Sequence, residues 1–462
     1  MQLLQPLLPA LLLCCYLSPS QANRVYVHPF SLFAAENVSC ESLQTQTSKP
    51  LQTIPVAPLE TDVLTPDSKD VVKIEGQRDI VTERTMALAG LVNVLGLRMY
   101  EALSKRHSTN TLLSPVSTCG TLVNFYLGAS KKTASSFQSL LGLSRDSDGE
   151  DCVSLMDGHK VLKTLQNINS LVDDGPKDEI TTHVWTFTRP QIQLSEDFVQ
   201  GTKDFSDASF IRSVNFSSPE VAELTVNNFV EKTSDGKVKS AFKNLNSSSN
   251  LLFLTSFNFQ GSWRTAFQPE RTSMQEFHIN ETTTVKAPLM THTGQYHYLN
   301  DKVHRCTIVK LPLSKRSSML LVLPHERTDL HNVESKLPKN IISDWIQNLS
   351  EGTLELTLPK FSMSSVHDMR DLLANMNPEI EAKLLGSQAQ FSQLGNTKPF
   401  NVDQVINKVR FEMSEEGTEV QESVEGPSSP LKLSFNRPFF FCVSEANSNA
   451  ILMLGKITNP TE

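Results

Sequence analysis

Residues 251–260 read LLFLTSFNFQ, and the chain returns to runs of this kind at 303–311, 317–324, 438–445 and 450–457. Each falls short of the roughly 20 residues a membrane span needs. A short, densely apolar run suits a strand covered on both faces. Several such strands require a large shared core, and a 39% hydrophobic content is enough to fill one. Residues 404–414 read differently: Val405, Val409, Phe411 and Met413 share one parity, with Lys408, Arg410 and Glu412 opposite. That alternation predicts a half-solvated strand.

Helical patterns precede these strands. Leu88, Leu91, Val92, Leu95 and Met99 recur at three-to-four spacing and predict an amphipathic helix from about Thr85. A second helix is expected from Ser114, with Pro115 suited to its first turn. A third runs from Leu224 to Lys239, broken at Asp235-Gly236. Helices first and strands later point to an α+β fold. Upstream, Pro50, Pro55, Pro58 and Pro66 punctuate a Thr-, Gln- and Ser-rich stretch with little periodicity, read as an extended tail. The expected division is 1–22, a signal peptide; 23–32, a short peptide; 33–84, the tail; and 85–462, the folded domain, with a surface loop at about 415–434.

Residues 3–16 are almost wholly apolar and lead through Pro19 to Ser20-Gln21-Ala22, a small-x-small pattern predicting cleavage between Ala22 and Asn23. An uncleaved anchor is the rival reading, although the run is short for a span. No later segment reads as a membrane span. Secretion gives meaning to the sequons at Asn37, Asn215, Asn246, Asn280 and Asn348, each weak alone. Cys119, Cys306 and Cys442 lie in apolar runs and read as small buried hydrophobes. Cys40 and Cys152 lie in polar surroundings and are the disulfide candidates, the alternative being two free surface thiols. A net charge of -8, with no Lys/Arg block, disfavours nucleic acid as the main partner.

Searches for enzyme chemistry fail. His325-Glu326 is followed by His331, so no helix face offers two histidines to zinc. There is no GxSxG elbow and no P-loop. No catalytic residue, metal or cofactor is expected. The recognisable blocks are of another kind: Asn110-Thr-Leu-Leu-Ser-Pro-Val-Ser, Val226-Asn-Asn-Phe-Val-Glu-Lys-Thr-Ser-Asp-Gly-Lys, Phe257-Asn-Phe-Gln-Gly-Ser-Trp-Arg-Thr-Ala-Phe, Phe435-Asn-Arg-Pro-Phe-Phe-Phe and Leu454-Gly-Lys-Ile-Thr-Asn-Pro. In this order they resemble the serpins over roughly residues 85–462. The resemblance implies three β-sheets, about eight to nine surrounding helices and an exposed reactive loop. In inhibitory members that loop inserts into the central sheet after cleavage, which requires small hinge residues. Here Glu415-Glu416-Gly417-Thr418-Glu419 opens the hinge well, but Val420-Gln421-Glu422-Ser423 follows where an Ala-rich run is expected. Burying Glu422 unpaired would cost several kcal/mol or force its protonation. Gly426, Pro427 and Pro430 further interrupt a strand. A non-inhibitory body is therefore expected.

Attention returns to residues 23–32, NRVYVHPFSL. Arg24-Val25-Tyr26-Val27-His28-Pro29-Phe30 matches the pattern of the angiotensin peptides, with Asn23 where Asp also occurs and Ser31 where His is common. The resemblance implies cleavage by renin, an aspartic protease, between Leu32 and Phe33. Removal of Ser31 and Leu32 by a dipeptidyl carboxypeptidase would then leave residues 23–30, an octapeptide for a G-protein-coupled receptor that regulates blood pressure. Arg24 and the new carboxylate offer charge-assisted contacts; Tyr26 and Phe30 offer apolar area; His28 offers a pH-responsive ring. Pro29 biases His28 towards extended geometry, which suits a protease cleft. The resemblance also implies a Cys40–Cys152 bridge tethering the peptide's stem, as a bare staple or as a redox switch. A protease inhibitor and a carrier of a small hydrophobic ligand are the alternative functions.

Overall fold

The computed structural model describes residues 28–35, 50–69, 81–144, 156–172, 179–313, 316–337, 341–414 and 430–462. Its helices are α1 (Pro29–Phe33), α2 (Glu83–Ser104), α3 (Pro115–Gly128), α4 (Lys131–Leu140), α5 (Gly158–Ser170), α6 (Glu196–Phe205), α7 (Pro219–Thr233), α8 (Leu330–Glu334), α9 (Ile341–Asn348), α10 (Met369–Met376) and α11 (Pro378–Leu384). The strands are β1 (Thr53–Pro55), β2 (Ser68–Lys69), β3 (Thr111–Leu113), β4 (Glu179–Thr188), β5 (Gln193–Ser195), β6 (Ala208–Ser213), β7 (Leu251–Ser262), β8 (Ser273–His278), β9 (Thr284–Asp301), β10 (Cys306–Pro312), β11 (Ser317–Pro324), β12 (Ser350–Pro359), β13 (Met363–Asp368), β14 (Val402–Ser414), β15 (Leu431–Ser434), β16 (Phe439–Glu445) and β17 (Ile451–Ile457).

Three sheets form, as expected. One has the order β13-β14-β7-β4-β6-β2; a second runs β15-β12-β9-β10-β11-β16-β17-β3, with β8 beside β9; the third is the pair β1-β5. The described residues hold eleven α-helices rather than the eight to nine that the resemblance implies; two of them, α1 and α8, are short helices of five residues. Helices and strands also interleave more than expected, since β4 and β6 fall among the early helices.

The dense apolar runs become the buried strands β7, β10, β11, β16 and β17. β4 separates two cores. Trp185 and Phe187 on one face pack with Phe229 of α7. Val184 on the other face joins the main cluster with Phe125, Phe198 and Phe253. α3 is buried nearly all round, capped by Ser114, whose Oγ accepts from Ser117 N, and opened by Pro115. Gly96 of α2 lies so close to Pro115 that a Cβ would approach its ring to 2.3 Å, which fixes the α2–α3 crossing. α7 begins at Pro219, five residues ahead of the expected start, and stops before the expected break, where Asp235 and Gly236 take φ of 51° and 75°.

Three expectations are corrected. β14 is not half-solvated: hydrogen-bonded between β13 and β7, it buries Ile406, Asn407 and Lys408 as well as Val405 and Val409. Burial, with Arg410 nearby, lowers the Lys408 pKa. α2 is long and apolar enough to cross a membrane, contrary to the sequence reading; half of that stretch is buried inside this fold. Residues 50–69 do not hang free. β1 pairs with β5 and β2 with the edge of β6, while Leu59 N donates to Ser213 O and Ser213 N to Ala57 O.

Candidate functional site

The expected scissile bond is built into the surface of the fold. His28 is extended (φ -61°, ψ 134°), as Pro29 requires, but Pro29 then opens a helical turn. The helix is capped by His28 itself, whose Nδ1 accepts from Phe30 N at 3.2 Å. One turn places Phe30 and Phe33 on the same side. Both enter the main core, at 4% and 0% exposure, while Ser31 faces solvent and Leu32 is half-buried. The wall receiving α1 is formed by α2 and α5.

Three successive carbonyls are held. Leu32 O accepts from Arg84 Nε at 3.1 Å, Phe33 O from Asp157 N at 2.7 Å, and Ala34 O from Lys160 Nζ at 3.1 Å. Ala34 also bridges antiparallel to Met156. Met156 O accepts in turn from the buried Tyr126 hydroxyl at 2.7 Å, and burial raises that phenol's pKa. Asp157 caps α5 through Oδ1, which accepts from Lys160 N. His159, between Gly158 and Lys160, donates through its ring to Asp204 of α6, with Nδ1 2.7 Å from Oδ2, and this bond raises the His159 pKa despite its partial burial. Gln200 Nε2 donates to the other Asp204 oxygen at 3.0 Å.

The remaining sequence-predicted positions divide as follows. Ala22, Asn23, Arg24, Val25, Tyr26, Val27, Asn37, Cys40 and Cys152 lie outside the described residues, so neither the signal cleavage nor the disulfide is placed. Asn215, Asn246, Asn280 and Asn348 are exposed. The first three accept through Oδ1 from a backbone N–H two residues on, whereas Asn348 Nδ2 donates to Asp344 O at 2.7 Å. Cys119, Cys306 and Cys442 are free and buried, and burial pushes each thiol up to about 12. Of the loop expected at about 415–434, residues 415–429, the hinge included, lie outside the described residues, and its end is not loop but strand β15, paired in parallel with β12; the strands beside the expected insertion site are described. β7 and β14 run parallel in direct register, Phe257 opposite Val409, with no strand between them.

Sequence reasoning missed Arg84, Asp157 and Lys160. Asp157 before a helical stretch is a cap signal; nothing local marks any of the three as contacts of residues 32–34. It also missed the anchor of the tail: Arg212, 4% exposed, donates to both Asp67 oxygens at 2.7 and 2.6 Å and to Thr65 O at 3.0 Å.

A family model described as Serpin (serine protease inhibitor) matches residues 91–460. Among curated relatives, angiotensinogen of Rattus norvegicus is 32% identical, covering 96% of this chain and 96% of its own length. Angiotensinogen of Bos taurus is 31% identical, covering 95% and 94%; that of Homo sapiens is 30% identical over the same shares. Among solved structures, mouse protein-Z dependent protease inhibitor superposes with a TM-score of 0.72 at 25% identity, over 81% of this chain and 98% of that one. Human thyroxine-binding globulin gives 0.70 at 24% identity, over 82% and 100%. The sheet order, the parallel β7–β14 pair and these matches together establish that the chain belongs to the serpin family.

Proposed function

We propose that this chain is a secreted hormone precursor in which a non-inhibitory serpin body both carries and withholds an N-terminal peptide. The single observation that carries this reading is α1: the turn that holds the bond expected to be cut is folded, capped and anchored by Phe30 and Phe33 in the core of the body. The relatives named angiotensinogen, matched along almost the whole chain, give the peptide its class. Renin would cut between Leu32 and Phe33 to release residues 23–32, and a dipeptidyl carboxypeptidase would remove Ser31 and Leu32. Residues 23–30 would then act on a G-protein-coupled angiotensin receptor.

The body's role follows from what cleavage requires. An aspartic-protease cleft takes an extended substrate, so α1 must unwind and leave its dock. Withdrawing Phe30 and Phe33 from the core alone costs about 1.5–3 kcal/mol each. Three carbonyls must also give up their partners. The folded protein is therefore a poorer substrate than the free peptide, and the body governs release. A Cys40–Cys152 bridge, proposed from the family resemblance, would shorten the tether between the peptide's stem and the segment leading to Met156.

Renin digestion followed by mass spectrometry tests the reading. Release of residues 23–32 is the expected outcome, and an intact terminus after prolonged digestion would sink it. An SDS-resistant adduct with any member of a serine-protease panel would instead favour the inhibitor reading.

A further inference from the structure

We propose that Arg84 and Lys160 form a cationic clasp that sets how readily the Leu32–Phe33 bond is surrendered, an inference that rests on the precursor reading above. The clasp spans the bond. Arg84 holds the oxygen of Leu32, the carbonyl that a protease's water would attack, and Lys160 holds Ala34 O two residues further on. While Arg84 Nε donates to Leu32 O, that oxygen is engaged by the body.

The placement of the two cations supports a task beyond helix stability. Arg84 lies in the first turn of α2 and Lys160 in the first turn of α5. Helix N-termini disfavour positive charge, because the unsatisfied N–H groups already make that end positive. Each cation therefore sits where the dipole of its own helix disfavours it, and each points to a carbonyl of residues 32–34. Asp157 completes the arrangement: its carboxylate lies 3.9 Å from Lys160 Nζ, while its backbone N–H takes Phe33 O between the two clasped oxygens. Arg84 and Lys160 are positioning residues. They act through the population of undocked α1 and touch no reacting atom once the peptide is in the cleft.

This makes a kinetic distinction. If α1 must open before the protease binds, the apparent KM is raised by the scarcity of the open form while kcat is unaffected. Losing one charge-assisted hydrogen bond at a surface site should raise that population about five-fold. The experiment measures renin kinetics on the intact protein and its Arg84→Ala, Lys160→Ala and Arg84→Lys variants, with a synthetic peptide of residues 23–35 as reference. The expected result is a KM about five-fold lower for each alanine variant, unchanged kcat, most of the effect reversed in Arg84→Lys, and faster amide exchange at Phe30 and Phe33. Unchanged KM in both alanine variants, with the peptide readily cut, would overturn the clasp. A KM change matched by the control Arg98→Ala, an exposed cation further along α2, would also overturn it. A peptide that renin does not cut would defeat the precursor reading itself.

Discussion

Residues 28–35 and residues 50–69 both precede the first long helix, and both dock on the body, but by opposite means. The first is a plug: two aromatic side chains enter the core and three carbonyls are held, two of them by cationic side chains. The second is a strap. It pairs as strand with β5 and β6 and is locked by Asp67 on a buried arginine whose guanidinium also lies 5.9 Å from the Phe229 ring. A plug can leave as a unit, because its contacts belong to one turn of chain. A strap shares its hydrogen bonds with the sheet and comes away only by opening an edge. Elements that must move are drawn from the less stable parts of a fold, and the expected cleavage bond lies in the plug.

Breaking the strap should have the largest effect. Asp67→Ala leaves the Arg212 guanidinium, 5% exposed, without its carboxylate and also removes the acceptor of Ile211 N. Losing one partner of such a pair costs about 3 kcal/mol. Urea unfolding should show this as a lower midpoint, accompanied by new proteolytic sites within residues 50–69 and none at 28–35. A loss below about 1 kcal/mol would show that the two segments are equally loose.

Breaking the plug should cost less than its burial implies. Phe33 is fully buried, and Phe→Ala in a fixed core costs about 3–5 kcal/mol. If α1 undocks while the rest stays folded, the global loss is capped at the undocking free energy. Phe33→Ala should therefore lower global stability by less than the roughly 3–5 kcal/mol of a fixed core site while exposing residues 28–35 to protease. A loss of the full core magnitude would make α1 an integral part of the body.

The contrast explains what the sequence disclosed. Residues 251–260 and 438–457 announced themselves because buried strands need unbroken apolar runs, and burial is what they achieve. Lys408 misled for the complementary reason: a charge normally marks a solvated face, but β14 is flanked on both edges and covered. α1 was half legible. Pro29 correctly marked His28 as extended, and Phe30 and Phe33 at i and i+3 were a one-turn helix signal too short to weigh against an expected tail. The dock was illegible, since Arg84 and Lys160 meet residues 32–34 only through the tertiary fold. The same holds for Arg212 and Asp67, 145 residues apart.

The smallest effect should come from pH, and it should reach the plug without reaching the strap. His159 lies between Asp157 and Lys160, both of which hold residues 33–34, and it pins α5 to α6 through Asp204. Its pKa is raised, first by the hydrogen bond to Asp204 and further by the charges of Asp204, Asp197 and Asp157, against the lowering effect of burial. A histidine whose folded-state pKa is raised contributes stability that is fully present below its unfolded value near 6.5 and is lost as pH climbs through the folded-state value. Its side chain keeps 27% exposure, so the contribution should stay below about 1 kcal/mol. Measured from pH 5.5 to 8.5, the Tm difference between the native protein and His159→Gln should shrink as pH rises. Amide exchange at Phe30 and Phe33 should quicken over the same interval, while exchange at Asp67 and Ile211 keeps only its intrinsic pH dependence. A Tm difference that grows with pH would reverse the sign assigned to His159. Parallel quickening at Asp67 would mean that plug and strap open together, and the two regions would then be one element.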